Sequence, residues 1–253
     1  MHAPPQGGEV PMQYFPDRRQ AGQSLAAHLL RYAGQRDLIV LALPRGGVPV
    51  AYEVALALHA PLDIVVVRKL GVPGHAELAM GAIAGGKVCV LNRELLRDLR
   101  IENAAIDHAV TIEREELRRR ERVYRGERPS PNVAGKTVIL VDDGLATGAT
   151  MSAAVAAVER QHAADVVVAA PVASREAVAQ MRAAGLTVVV VLTPEPFHGV
   201  SLWYDDFEQT SDAEVRSLLD AAWQREAAAG TAVAAPPPPV APVEPRDDLA
   251  ELR

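Results

Sequence analysis

Two adjacent carboxylates and the small-residue loop after them are the part of this 253-residue sequence best suited to chemistry. Asp142 and Asp143 follow an apolar run that starts at Val138 and predicts a strand whose carboxyl end carries both acids. The backbone N–H groups of the loop and the start of the next helix could hold a phosphate. Because carboxylates repel phosphate, we expect the acids to face neutral hydroxyl groups such as those of a ribose. The loop consists of Gly144, Leu145, Ala146, Thr147, Gly148, Ala149 and Thr150.

This segment, residues 138–151, resembles the motif with which type I phosphoribosyltransferases bind 5-phosphoribosyl-1-pyrophosphate (PRPP). The resemblance implies that Asp142 and Asp143 contact the ribose hydroxyls and that residues 146–150 cradle the 5′-phosphate. Residues 145–146 differ from the commonest family form, where a polar Thr/Gly pair is frequent, so the hydroxyl assignments stay open. A purely structural strand, charged turn and helix is the alternative. A nucleotide P-loop does not fit, because no lysine follows the last glycine of the segment.

A second candidate anion site follows an earlier apolar run, at Arg45, Gly46 and Gly47. The two glycines let backbone amides approach an anion, and the arginine supplies positive charge. The tripeptide alone is common in ordinary turns, but its place after a predicted strand resembles the pyrophosphate loop of the same family. In several type I enzymes the peptide at the basic residue of this loop is cis, so the resemblance also implies a cis or strained bond between Pro44 and Arg45.

Two further cations, Arg68 and Lys69, stand at the end of a predicted strand and precede a loop containing glycine and proline. The family has a mobile loop here that closes over the pyrophosphate, so the resemblance implies that both cations bind pyrophosphate. A solvated loop with incidental charge explains the same residues equally well. Together with the two acids, Arg45 and Lys69 are the candidate catalytic residues. We expect Asp142, Arg45 and Arg68 to share the carboxyl edge of one sheet.

Aromatic residues are concentrated between positions 197 and 207, which hold four of the ten in the chain. Aromatic faces outside a sheet edge can stack on a planar base, and type I enzymes select their acceptor with a variable hood of this kind. Phe197 and Trp203 are therefore the candidate acceptor contacts. The alternative is a small apolar cluster that covers the sheet, which the same residues also predict.

Apolar runs of strand length alternate with helical patterns along the chain, which predicts an α/β fold. The best strands are continuous Val, Ile and Leu runs, typical of a mainly parallel central sheet flanked by helices. The resemblance implies about five strands and a small hood, as in the type I phosphoribosyltransferase fold. The predicted strands are 38–43, 63–67, 137–141, 165–170 and 186–192, with a hairpin of 80–84 and 87–91. The predicted helices are 48–59, 101–125, 149–161, 175–184 and 212–228.

Composition predicts the domain boundaries and the setting of the protein. Residues 1–14 predict a flexible segment and the Pro/Ala-rich residues 229–253 a disordered tail, which leaves one domain at 15–228. A net charge of −6 argues against a nucleic-acid partner, and no apolar stretch approaches the roughly 20 residues of a membrane span. The single cysteine and the lack of a signal-peptide pattern predict a cytoplasmic location. The charged run 115–122 predicts an exposed helical face or a contact between two copies in a homodimer.

The resemblance implies a reaction in which a small-molecule acceptor, expected to be a nitrogenous base, displaces pyrophosphate from C1 of PRPP. Mg²⁺ would bridge pyrophosphate and ribose oxygens near Asp142 and Asp143, carried by the substrate rather than by a protein cage. Two other functions stay open at this point, because a fold does not fix a function. They are a non-catalytic sensor of PRPP or nucleotides and a phosphohydrolase that uses the same phosphate cradle.

Overall fold

A parallel five-stranded sheet forms the centre of the molecule in the computed structural model, which describes residues 14–73, 75–85 and 88–233. Its strand order is β2-β1-β6-β7-β8, and every neighbouring pair is parallel. The predicted α/β fold with about five parallel strands is confirmed. The strands of the described chain are β1 (Leu38–Ala42), β2 (Leu62–Ile64), β3 (Val67–Val72), β4 (His75–Ala84), β5 (Val88–Leu91), β6 (Thr137–Val141), β7 (Asp165–Val172) and β8 (Thr187–Leu192).

Helices cover both faces of this sheet, which is why its strands are apolar throughout. All five residues of β1 are buried, and they alternate between two cores. The helices of the described chain are α1 (Arg18–Leu29), α2 (Gly47–Leu58), α3 (Arg93–Asp98), α4 (Asn103–Arg125), α5 (Ala149–Glu159), α6 (Arg175–Ala183) and α7 (Asp212–Val233). Val40 packs in the core shared with α1, α2, α4 and α7, whereas Leu41 packs in the core shared with α5 and α6.

A second, antiparallel sheet of order β3-β4-β5 packs beside the first one. The predicted hairpin is confirmed, since Ile83 pairs with Cys89 across it. The single strand predicted at 63–67 was wrong, because the chain leaves the parallel sheet after β2 and enters the second sheet at β3. The glycines and proline after Lys69 predict a loop, whereas the chain continues in β3 to Val72. Its buried Leu70 and Val72 alternate with more exposed residues, as in a half-buried strand.

Several helix ends differ from the predicted ones, and α1 and α3 were not predicted at all. The side chain of Asp17 accepts a hydrogen bond from the Gln20 N–H at 2.7 Å and starts α1, a capping signal that is present in the sequence. The closing helix α7 begins at residue 212 as predicted, with the Ser211 hydroxyl accepting from the Glu214 N–H, but continues to Val233. Most of the predicted flexible segment and tail lies outside the described residues.

Across the described ranges, no helix combines the length and apolar character needed to cross a membrane.

A buried ion pair fixes α4, the longest of the described helices, to the edge strand β2. Arg125 Nε donates to Asp63 Oδ1 at 2.6 Å, and the two side chains are only 5% and 6% exposed. Arg125 also donates to the Ile64 carbonyl, so the guanidinium satisfies both the carboxylate and the strand backbone.

Replacing Asp63 with Asn should destabilise the fold by about 3 kcal/mol, because it removes the nearer and more buried of the two carboxylates that pair with Arg125, the other being Glu121 at 3.2 Å. The matched control is Arg175→Gln, which removes an ion pair with Glu195 whose side chains are 68% and 65% exposed. That control should cost less than about 1 kcal/mol. Urea unfolding of both variants gives the comparison, and equal costs would show that the buried pair does not hold α4 in place.

Candidate functional site

The loops that follow β1 and β6 lie side by side at the carboxyl edge of the parallel sheet. The two strands are neighbours in parallel register, and the Leu43 N–H donates to the Val141 carbonyl at 2.8 Å. Arg45 and Asp142 therefore leave the sheet at the same edge, as predicted. The Pro44–Arg45 peptide is cis, which confirms that expectation as well.

Two glycines allow the first loop to touch the carboxylates of the second. A Cβ atom at Gly46 would stand 1.9 Å from Asp143 Oδ2, and one at Gly47 would stand 2.7 Å from the Val141 carbonyl oxygen. Neither distance is compatible with a side chain. The sequence assigned these glycines to anion binding, and the structure adds that they let the two loops pack.

The two acids share one enclosed environment. Burial raises the pKa of Asp142 well above its ordinary value, and the negative charge of Asp143 raises it further. Burial also raises the pKa of Asp143, although the neighbouring Arg18 guanidinium opposes this effect. The Asp143 N–H donates to Asp142 Oδ1 at 2.9 Å, which holds the first carboxylate in place. Asp142 consequently takes up a proton more readily than an exposed aspartate.

Arg18 is a site residue that the sequence did not reveal. Its Nε donates to Asp143 Oδ2 at 2.8 Å, its Nη1 donates to the Glu208 carbonyl at 2.7 Å, and its guanidinium lies 3.9 Å from the centre of the Phe207 ring. The side chain is only 11% exposed. The capping signal at the start of α1 could have revealed the helix, but no local pattern links this arginine to a carboxylate so far along the chain.

The aromatic segment predicted as a hood packs mainly on itself and on the first residues of the described chain. Trp203 is 8% exposed and stacks on Tyr14 with ring centroids 5.7 Å apart. It is therefore part of an apolar cluster and has no free face on which a base could stack. Phe197 packs against the same cluster and is half-buried. Tyr204 donates its hydroxyl to the Asp143 carbonyl at 2.6 Å, and burial raises the pKa of this hydroxyl so that it remains a donor.

The loop after the acids contains several backbone N–H donors that are not paired. Within the hydrogen bonds of the described chain, the N–H groups of Ala146, Thr147, Gly148 and Thr150 have no acceptor. A side-chain hydrogen bond holds the loop in place, because the Ser174 hydroxyl donates to the Ala146 carbonyl at 2.6 Å. Free N–H groups at the start of α5 form an arrangement that can bind an anion.

Arg68 and Lys69 face the first turn of α5 across a cavity of about 580 Å³, within the size range of small-molecule sites. The opposite wall includes Ala149 and Thr150. Arg68 Nε donates to Glu113 Oε2 of α4 at 2.7 Å, so this guanidinium is already held by a carboxylate. Arg68 lies just beyond β2 but on a strand of the second sheet, which only partly matches the expected shared edge.

Comparison with known proteins decides the family. The family model of the phosphoribosyl transferase domain matches residues 15–190. The chain belongs to this family. Relatives from two strains of Mycobacterium tuberculosis, both named "Putative phosphoribosyl transferase", are 46% identical over 234 residues, which is 90% of this chain. The match covers 52% of each relative, so the chain spans about half the length of the curated relatives it matches.

A solved structure has a similar fold. The crystal structure of TT1426 from Thermus thermophilus superposes with a TM-score of 0.74 at 42% identity, covering 82% of this chain and 98% of that one. The phosphoribosyltransferase fold predicted from the sequence is confirmed by the family model and by the parallel sheet.

The packing of two residues in the loop after the acids adds detail to the sequence prediction. The Leu145 N–H donates to the Val172 carbonyl at 2.9 Å and its side chain is buried, so this residue anchors the loop and does not offer its amide to a ligand. A Cβ atom at Gly148 would stand 2.7 Å from Met181 Cε, so a side chain there would press on α6. With a φ of +72°, Gly148 also has a backbone conformation that favours glycine.

Changing Gly47 to Ala should destabilise the domain by about 1–3 kcal/mol, because the new methyl group would push the two loops apart. Gly199→Ala is the matched control, since a Cβ atom there meets nothing within 4 Å. Thermal unfolding of the two variants measures the difference. An unchanged melting temperature for Gly47→Ala would show that the loops do not need this close contact.

Changing Arg18 to Gln should raise the pKa of Asp143 further, because it removes the cation that opposes the effect of burial. As the pH falls, the carboxylate of the variant should therefore take up its proton at a higher pH than in the wild type. A carbon-13 NMR titration of the aspartate side chains measures this shift. Arg19→Gln, on the same helix with a 73% exposed side chain, should leave Asp143 unchanged; the same titration in all three proteins would contradict the proposed role of Arg18.

Proposed function

We propose that this domain binds PRPP and transfers its 5-phosphoribosyl group to a nitrogenous acceptor with release of pyrophosphate. One observation carries the proposal: two enclosed carboxylates lie between an N–H-rich loop and the Arg45 loop at one sheet edge. PRPP has ribose hydroxyls between its 5′-phosphate and its pyrophosphate, and these three parts match the N–H-rich loop, the carboxylates and the Arg45 loop in the same order. Membership of the phosphoribosyl transferase domain family supports the same conclusion.

Each part of PRPP has a proposed partner. The 5′-phosphate accepts hydrogen bonds from the free N–H groups at 146–150 and from the hydroxyls of Thr147 and Thr150, with Gly144 and Leu145 shaping the loop. The ribose hydroxyls donate to Asp142 and Asp143. The pyrophosphate lies against Arg45, Gly46 and Gly47, with Arg68 and Lys69 closing over it from the second sheet.

The proposed reaction forms a bond from the acceptor nitrogen to C1 and breaks the bond from C1 to the pyrophosphate oxygen, which keeps the electron pair. Positive charge grows on the ribose ring and negative charge on the leaving group, so the protein acts by positioning and electrostatic stabilisation. Arg45 and Lys69 stabilise the leaving pyrophosphate, and the acids stabilise the ring. Mg²⁺ would neutralise part of the pyrophosphate charge. The described ranges contain no group of three His, Cys, Asp or Glu side chains that could coordinate a metal ion. We therefore propose that Mg²⁺ binds as a complex with PRPP.

The acceptor is proposed to be a small base that reaches C1 from the aromatic side of the site. Phe197 is its proposed contact, and Trp203 supports that wall from within the apolar cluster. We also propose a cytoplasmic protein without nucleic-acid or membrane partners that can form a homodimer. The net charge of −6 and the single cysteine support this setting.

Incubation with PRPP, Mg²⁺ and a panel of bases, with pyrophosphate release as the signal, tests the proposal. Base-dependent pyrophosphate release supports transfer. Release of ribose phosphates without any base would identify a phosphohydrolase, and binding without turnover would identify a sensor. Absence of PRPP binding under all these conditions would overturn the proposal.

Asp142→Asn and Asp143→Asn should each weaken PRPP binding while leaving the affinity for inorganic phosphate nearly unchanged. A hydrogen bond to a charged group contributes about 1.5–3 kcal/mol, which corresponds to a loss of affinity of about 10- to 150-fold. Titration calorimetry with both ligands measures the two affinities. Asp205→Asn, an exposed aspartate of the aromatic segment, is the control. Equal losses for PRPP and phosphate would mean that the acids hold the loop and do not contact the ribose.

A further inference from the structure

A polar cavity of about 200 Å³ lies between the Arg45 loop, α4 and α7, and the proposed reaction uses only one of its lining residues, Arg45. Arg45 enters it from the loop, Arg119 and Arg120 from α4, and Asp212 from the first turn of α7. Tyr124 completes the polar wall. Three guanidinium groups therefore meet around one space, together with a single lining carboxylate.

The lining carboxylate is already engaged. Asp212 Oδ1 accepts the Tyr124 hydroxyl at 2.9 Å and lies 3.7 Å from Arg45 Nη1. That distance is too long for a hydrogen bond, and no other hydrogen bond of the Arg45 side chain occurs within the described part of the chain. The Arg45 side chain is one-third exposed, and its guanidinium has five N–H donors that a ligand can engage.

A second carboxylate orients the other two arginines from outside the cavity. Glu116 accepts from Arg119 Nε and Nη2 at 2.7 and 3.0 Å and from Arg120 Nε at 2.9 Å. These hydrogen bonds lower the pKa of Glu116 to about 2, so it is ionised at neutral pH. Arg120 Nη1 and Nη2 make no hydrogen bond with any described residue. Three cations against two carboxylates leave one excess positive charge at the cavity.

We propose that this cavity binds a phosphate-type oxyanion, with Arg119, Arg120 and the side chain of Arg45 as its donors. Guanidinium groups pair with phosphate oxygens through two parallel N–H donors, which suits three arginines converging on one space. Arg45 would exchange its long contact with Asp212 for hydrogen bonds to the anion. The site thus shares one residue with the proposed pyrophosphate loop but has its own ligands on α4.

The same chemistry can come from two sources, the pyrophosphate end of PRPP or a separate phosphate-bearing molecule. Inorganic pyrophosphate is the probe, and the arginine Nε–Hε signals in nitrogen-15 NMR are the readout. Addition of pyrophosphate should shift the signals of Arg119 and Arg120. Arg119→Gln and Arg120→Gln should each weaken pyrophosphate binding at least tenfold in calorimetry. Arg118→Gln, the exposed neighbour on the same helix, should leave binding unchanged.

A second titration in saturating PRPP and Mg²⁺ separates the two sources. If PRPP itself shifts the Arg119 and Arg120 signals and excludes pyrophosphate, the substrate supplies the anion. If pyrophosphate still shifts them, the cavity takes a separate ligand. Unshifted signals, together with wild-type affinity in both Gln variants, would overturn the proposal. A protein that fails to bind PRPP yet passes the pyrophosphate test would lose the proposed function and keep this site.

Discussion

Gly46 and Gly47 leave no side chain between the loop after β1 and the loop after β6, and the carboxylates of Asp142 and Asp143 occupy that space. The rest of the site depends on this close contact, since it sets where both acids stand. Parallel neighbours in a sheet bring their carboxyl ends together. The contact is possible only because β1 and β6 are neighbouring strands and the loop after β1 has no side chain at Gly46 and Gly47.

Such tight packing has an electrostatic consequence, because it encloses two acids next to each other. Burial and mutual repulsion favour a proton on Asp142, whereas Arg18 favours the charged form of Asp143. The pair therefore combines a carboxyl that readily takes up a proton with a carboxylate held by a cation. Tyr204 and Phe207 complete this enclosure from the aromatic segment, so the apolar cluster serves the acids even though Trp203 itself is buried inside it.

Local patterns in the sequence were enough to predict the parallel strands, the acid pair at one of their ends and the Arg45 turn beside it. Continuous Val and Ile runs and glycine-containing loops can be recognised from neighbouring residues alone. The family motif could also be matched residue by residue. The β3 strand was missed because Gly71 and Pro73 outweighed the alternation of Leu70 and Val72. Arg18 was missed for a different reason: its role comes from a tertiary contact, and no local pattern in a single sequence indicates such a pairing. Whether each matched residue binds PRPP stays a prediction.

The contacts of Arg18 also determine when the site can form during synthesis of the chain. This arginine precedes Asp143 by 125 positions and Glu208 by 190. A ribosome that adds about 5–20 residues per second makes Arg18 roughly 10–40 s before Glu208. Contacts between such distant residues close late, because the intervening chain must first be ordered. A nascent chain therefore carries both acids for some time without the completed enclosure around them, and the site comes into existence only when nearly the whole domain has been synthesised.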